Sequence, residues 1–191
     1  MGGCLPNKVS IRTGRTIFLS MSSLSTSAHC YSVVFFNRAL KGRMMGKVCA
    51  FFGHSDLCGR SDQITPKLRE VLIGLIEHKD VDTFYVGNHG EFDILSSRQA
   101  CDLKSLYPHI QVIVVLCYPN ELQYLKCHFT DILMPAEIEA APKRACIVKR
   151  NHWVADNADY IVGFIRYEIG GAYRALQYAR KHNKQIINIK I

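Results

Sequence analysis

Residues 48–56 read VCAFFGHSD, and the fold turns on this stretch. Five apolar residues run without a polar break and stop at Gly53. A strand with one wet face would alternate apolar and polar residues. An unbroken run reads as a strand buried on both faces, the pattern of a parallel sheet covered by helices.

The same grammar continues downstream. TPKLREVLIGLIEHK (65–79) predicts a helix: Leu68, Val71, Leu72, Leu75 and Ile76 keep the i, i+3, i+4 spacing, Thr65 can cap it, and Pro66 suits a first turn. TFYVG (83–87) predicts a second strand, and a helix follows over about 94–106. IQVIVVLCY (110–118) is the strongest strand, rich in β-branched residues, and Pro119 ends it. A short helical segment over 120–127 and a short strand ILMP (132–135) come next. Residues 142–158 have helical character, YIVGFI (160–165) is a strand, 172–182 a helix and QIINIKI (185–191) the last strand. Strands alternating with helices imply βαβ units. The expected fold is α/β, Rossmann-like and doubly wound, with a mainly parallel sheet of about five strands.

Composition bounds the function. No apolar run reaches the roughly 18 residues of a membrane span, so no membrane role is expected. The eight cysteines include no C-x-x-C pair, and Cys49 and Cys117 fall inside buried strands. They read as reduced small hydrophobes, which points to a reducing cytoplasm, with neither a disulfide framework nor a zinc cluster. His78, His109, His128 and His182 show no metal-ligand spacing, so no metal is expected.

The net charge of +8 has a location. The first acidic residue of the chain is Asp56, whereas residues 1–44 carry Lys8, Arg12, Arg15, Arg38, Lys41 and Arg43. Taking those six from 24 leaves 18 basic residues against 16 acidic ones, a balance of +2. The part from residue 45 onward is nearly neutral, so direct nucleic-acid binding is not expected. Residues 1–44 are Ser/Thr-rich and patternless. A targeting peptide, a disordered tail and a start set too early all fit. Met44 and Met45, just before the first strand, favour the early start, with residues 45–191 forming a single domain.

In such sheets ligands bind beyond the carboxyl ends of the strands, so the segments after the strands carry the candidate chemistry. After the first strand stand Gly53, His54 and Ser55. A glycine admits close backbone approach, and His54 and Ser55 can donate to a phosphate or ribose. Taken alone, this is better read as a solvent-facing turn. GNHGEFD (87–93) lies between a strand and a helix. Gly87 and Gly90 can present amides as an anion cradle, Asn88 can read a ribose or base edge, and Phe92 is a further ligand-binding candidate in the loop. Asp93 fits a helix cap or hydroxyl acceptor, with Glu91 facing solvent. RYEIGGAYRAL (166–176) is a second glycine-led helix start, where Gly170 and Gly171 meet the positive end of a helix dipole. KRNHW (149–153) offers Arg150 and Asn151 as ligand-binding candidates, and Arg150 suits bidentate phosphate binding or an exposed helix face equally. Two glycine-led helix starts at one sheet edge favour ligand binding.

From about residue 46 onward the chain resembles bacterial proteins of the SLOG superfamily, a Rossmann-like group that includes cytokinin-activating phosphoribohydrolases and DNA-processing proteins. The matching pieces occur in order: FFGHSD, GNHGEFD, LKSLYPHIQVIVVLCY, ILMPAEIEAAPKRACIVKRNHWVADNADYIVGF and GGAYRALQYARKHNKQIINI. The resemblance implies a site for a nucleotide-derived ligand built from Gly53-His54, residues 87–93 and Gly170-Gly171. The phosphoribohydrolases carry P-G-G-x-G-T-x-x-E at the last turn. Here that place reads EIGGAYRAL, without the second G-T or the following glutamate, so the hydrolase chemistry does not transfer. The expected function is therefore a sensor-type nucleotide-binding domain. The alternative is an enzyme acting on an N-glycosidic bond: YEIGGAY (167–173) is similar to the turn that carries the nucleophile of nucleoside deoxyribosyltransferases. That makes Glu168 a candidate nucleophile, with Asp93 or Glu91 as proton donor. A homo-oligomer is left open.

Overall fold

The computed structural model describes residues 46–118, 120–121 and 129–191. The extension expected over 1–44, Pro119 and most of the helical segment expected over 120–127 lie outside them.

Among the described residues the chain forms β1 (Lys47–Gly53), α1 (Ser61–Lys79), β2 (Val81–Val86), α2 (Glu91–Leu103) and β3 (Gln111–Val115). There follow β4 (Asp131–Leu133), α3 (Ala136–Glu139), α4 (Lys143–Asp156), β5 (Tyr160–Phe164), α5 (Gly170–Lys181) and β6 (Gln185–Asn188). All strand pairs are parallel, in the order β4-β3-β2-β1-β5-β6. The expected α/β doubly wound fold is present, with six strands rather than about five. ILMP supplies the sixth through Asp131–Leu133.

The unbroken apolar run of β1 has its reason in the two cores. Cys49 and Phe51 face α1 and α2, packing with Ile64, Leu68, Leu72, Phe92 and Leu103. Ala50 and Phe52 face the opposite layer, with Ile138, Cys146, Val154, Ala175 and Leu176 from α3, α4 and α5. Alternate residues of one strand thus serve different cores, and neither set can be polar. No disulfide links the described cysteines.

Three helices begin earlier than their sequence signals. α1 starts at Ser61, four residues before Thr65. Thr65 does not cap it; its hydroxyl donates to the carbonyl of Ser61 at 2.7 Å inside the helix. α2 starts at Glu91 and α5 at Gly170, both without a side-chain cap. Polar and glycine residues in a first turn hide a helix start, because packing of the later turns holds it in place.

Strand order positions the site. From β1 the chain winds outward through β2 and β3 to β4, then returns to the other side of β1 for β5 and β6. The connections after β1 and β5 therefore leave the sheet toward opposite faces. The crevice between them is where doubly wound sheets bind ligands.

Candidate functional site

A half-open cavity of about 270 Å³ occupies that crevice. Its lining brings together Gly53, His54, Ser55, Asp93, Arg150, Asn151, Gly170 and Gly171, eight of the residues selected from sequence. Phe52, His89, Ile147 and Ala172 complete it. Ile147, Arg150 and Asn151 keep the i, i+3, i+4 spacing of one helix face, the signal by which Ile147 was findable.

The first wall is the N-terminus of α5. Gly170, Gly171 and Ala172 are its first residues, so their amides have no acceptor within the helix. Gly170 has φ +91°, and a Cβ at Gly170 or Gly171 would meet nothing within 4 Å. The glycines leave this helix end open to the cavity.

Arg150 supplies the floor. It is 7 % exposed, and its Nη1 stands 3.6 Å from Asp93 Oδ2. Its Nε is buried with no hydrogen-bond partner, and so is Oδ1 of the adjacent Asn151. Burial pushes the Asp93 carboxyl up from its ordinary range, and the Arg150 charge and the His89 amide only partly offset this. Asp93 does not cap α2 from outside. It lies in the first turn and accepts from the His89 amide at 3.2 Å. Glu91 is exposed, as expected, and its carboxylate also accepts the Leu57 amide at 2.7 Å.

His54 joins the two sides of the crevice. Its Nε2 accepts from the amides of Arg166 at 2.9 Å and Tyr167 at 3.3 Å. An accepting Nε2 places the ring proton on Nδ1 and requires neutral imidazole. Burial, then the charge of Arg166, lowers its pKa. His54 is therefore an acceptor tying β1 to β5, where the sequence pointed to a donor.

GNHGEFD is more structural than ligand-facing. Gly87, Asn88, Gly90 and Phe92 do not line the cavity. A Cβ on Gly87 would strike the Asp93 carboxylate and the Arg150 guanidinium, so this glycine makes room for the ion pair. Gly90 has φ +97°, and its Cβ would lie 2.6 Å from Ser55 Cα, so it lets the two loops touch. Phe92 is fully buried, stacked on Phe164 with ring centroids 6.1 Å apart. Asn88 is half-buried, with an unpartnered Oδ1. Glu168 is exposed and lies outside the cavity lining.

His89, unassigned by sequence, forms the remaining wall. Its Nε2 is 2.6 Å from Oε1 of buried Glu121, close but off the line of a good hydrogen bond. Contacts with Cys117 and then Glu121 raise the imidazole to about 9. Burial works against the Glu121 carboxylate, but His89 and the amides of Cys117 and Tyr118 hold it below its ordinary value.

No protein-family model matches the chain, and no curated protein matches it. No helix among the described residues is long and apolar enough to cross a membrane.

Proposed function

We propose that the chain is a nucleotide or nucleotide-derivative binding domain of the sensor type, related to the SLOG group. The observation that carries this is the buried Arg150 in the lining of a cavity that the N-terminus of α5 also walls. A guanidinium and a helix N-terminus converging on one space suit a phosphate. Asn151, in the same lining, suits a sugar hydroxyl, and exposed Ile147 offers an apolar surface to a base. The volume is near the lower end of ligand pockets, so a mononucleotide suits it better than a dinucleotide.

The test is a thermal-shift screen of the full chain against nucleoside mono- and diphosphates, cyclic nucleotides, ADP-ribose and unphosphorylated nucleosides. A ligand at a hundredfold excess over its Kd adds about 2.7 kcal/mol, or a rise of several degrees. Gly171→Trp, which fills open cavity space, abolishes the shift. A panel without any phosphate-dependent shift, or a full shift in Gly171→Trp, refutes the reading.

Cleavage of an N-glycosidic bond has one observation in its favour. Asp93 is a cavity carboxyl with its pKa raised by burial, as a general acid requires. Glu168, its expected nucleophile, lies outside the cavity. Release of free base from nucleosides, lost in Asp93→Asn, would replace the binding reading with this one.

A further inference from the structure

His89 belongs to a second cluster that the spacing of the sequence conceals. It comes from the β2–α2 loop, Cys117 from just beyond β3, and Glu121 from the turn after it. One imidazole nitrogen, the Cys117 sulfur and one Glu121 oxygen lie within 4.8 Å of one another, the only such trio among the described residues. Cys117 is 1 % exposed and Glu121 7 %. The other Glu121 oxygen accepts the Cys117 amide at 3.0 Å, which fixes the carboxylate as supporting hydrogen bonds fix metal ligands.

We infer that His89, Cys117 and Glu121 form a binding site for a zinc-class transition-metal dication in the cavity wall. Thiol, imidazole and carboxylate together favour a borderline metal over magnesium or calcium, which prefer all-oxygen shells. Metal–ligand bonds of about 2.0–2.3 Å in a tetrahedron separate ligand atoms by roughly 3.3–3.7 Å. The His89–Glu121 pair must open by less than about 1 Å and the widest pair close by little more, movements within reach of side-chain rotation. A dication with neutral imidazole, carboxylate and thiolate sums to zero, displaced protons passing to solvent, so the occupied buried site carries no net charge. An ion pair alone accounts for His89 and Glu121, whereas the metal also employs the sulfur within reach of both. Three protein ligands leave a fourth position for water.

The probe is Co²⁺ added to chelator-treated full-length protein. The expected result is one bound equivalent with a thiolate-to-cobalt charge-transfer band, which Zn²⁺ abolishes. Cys117→Ser loses the band, Glu121→Gln weakens binding by about tenfold or more, and Cys58→Ser, at an exposed position elsewhere, leaves both unchanged. Absence of the band in the wild type overturns the inference, whatever the folding of the variants. Persistence of the same band in Cys117→Ser overturns it equally. Nucleotide binding enters neither readout, so the two readings fail separately.

Discussion

Arg150→Gln removes one member of a buried ion pair whose charged atoms stand 3.6 Å apart. Unit charges at that distance attract by about 4–5 kcal/mol at an effective dielectric constant near 20. Burial costs each ion several kcal/mol, so the intact pair adds little net stability, whereas a lone survivor is costly. After the substitution Asp93 keeps the His89 amide as its donor. It escapes the unpaired charge by taking up a proton. In an unfolded chain an aspartate titrates about three pH units below neutrality, so holding it protonated at pH 7 costs about 4 kcal/mol. That figure is a ceiling, and a loss of about 3–4 kcal/mol is expected. Asp93→Asn in the same background removes the orphaned charge and restores about half of the loss. Urea denaturation of wild type, both single variants and the double variant closes the cycle; because Asp93→Asn alone leaves Arg150 unpaired and also destabilises, the expected coupling is at least about 2 kcal/mol. A coupling below about 0.5 kcal/mol would show that the two groups do not sense each other, and the account of the cavity floor would fall.

Three further outcomes are expected. Phe92→Ala, which empties a fully buried ring site, costs about 3–5 kcal/mol in the same denaturation assay; a loss under about 1 kcal/mol contradicts its core placement. Gly87→Ala drives a methyl into the ion pair and costs about 1–3 kcal/mol, read as a lowered urea midpoint, and an unchanged midpoint refutes the close approach. His54 has its pKa lowered by burial and then by Arg166, so the unfolded imidazole protonates first as pH falls. Its contribution is intact above about pH 6.5 and is lost on acidification through the folded value. His54→Gln, whose carbonyl can still accept the two amides, flattens that part of the melting-temperature profile below about pH 6.5. A variant profile parallel to the wild type removes His54 as its source.

Much of the site was legible because its position follows from the fold class. Once a doubly wound sheet is expected, residues after the strands converge at its carboxyl edge, and Gly53, His54, Gly170 and Gly171 do so. The roles within GNHGEFD were not legible. A glycine that binds an anion and one that makes room for a neighbouring side chain look identical in sequence. Gly87 and Gly90 are of the second kind. Arg150 stood undecided between phosphate ligand and exposed helical arginine, and packing made it buried. The meeting of His89 with Cys117 and Glu121 was illegible for a related reason, since it forms only across neighbouring strand ends.

The sequence by itself determined the layers. Strands buried on both faces must be apolar throughout, helices covering them must carry an apolar stripe, and both patterns are local and periodic. The partnerships were decided only in three dimensions. Asp93 meets Arg150, and His54 meets the Arg166 amide, because β5 pairs with β1 and not with β4. Strand order leaves no periodic mark on the chain, since each buried strand offers similar apolar faces to any neighbour. It is fixed by the competition of whole packings, and the chemistry at the sheet edge follows from that outcome.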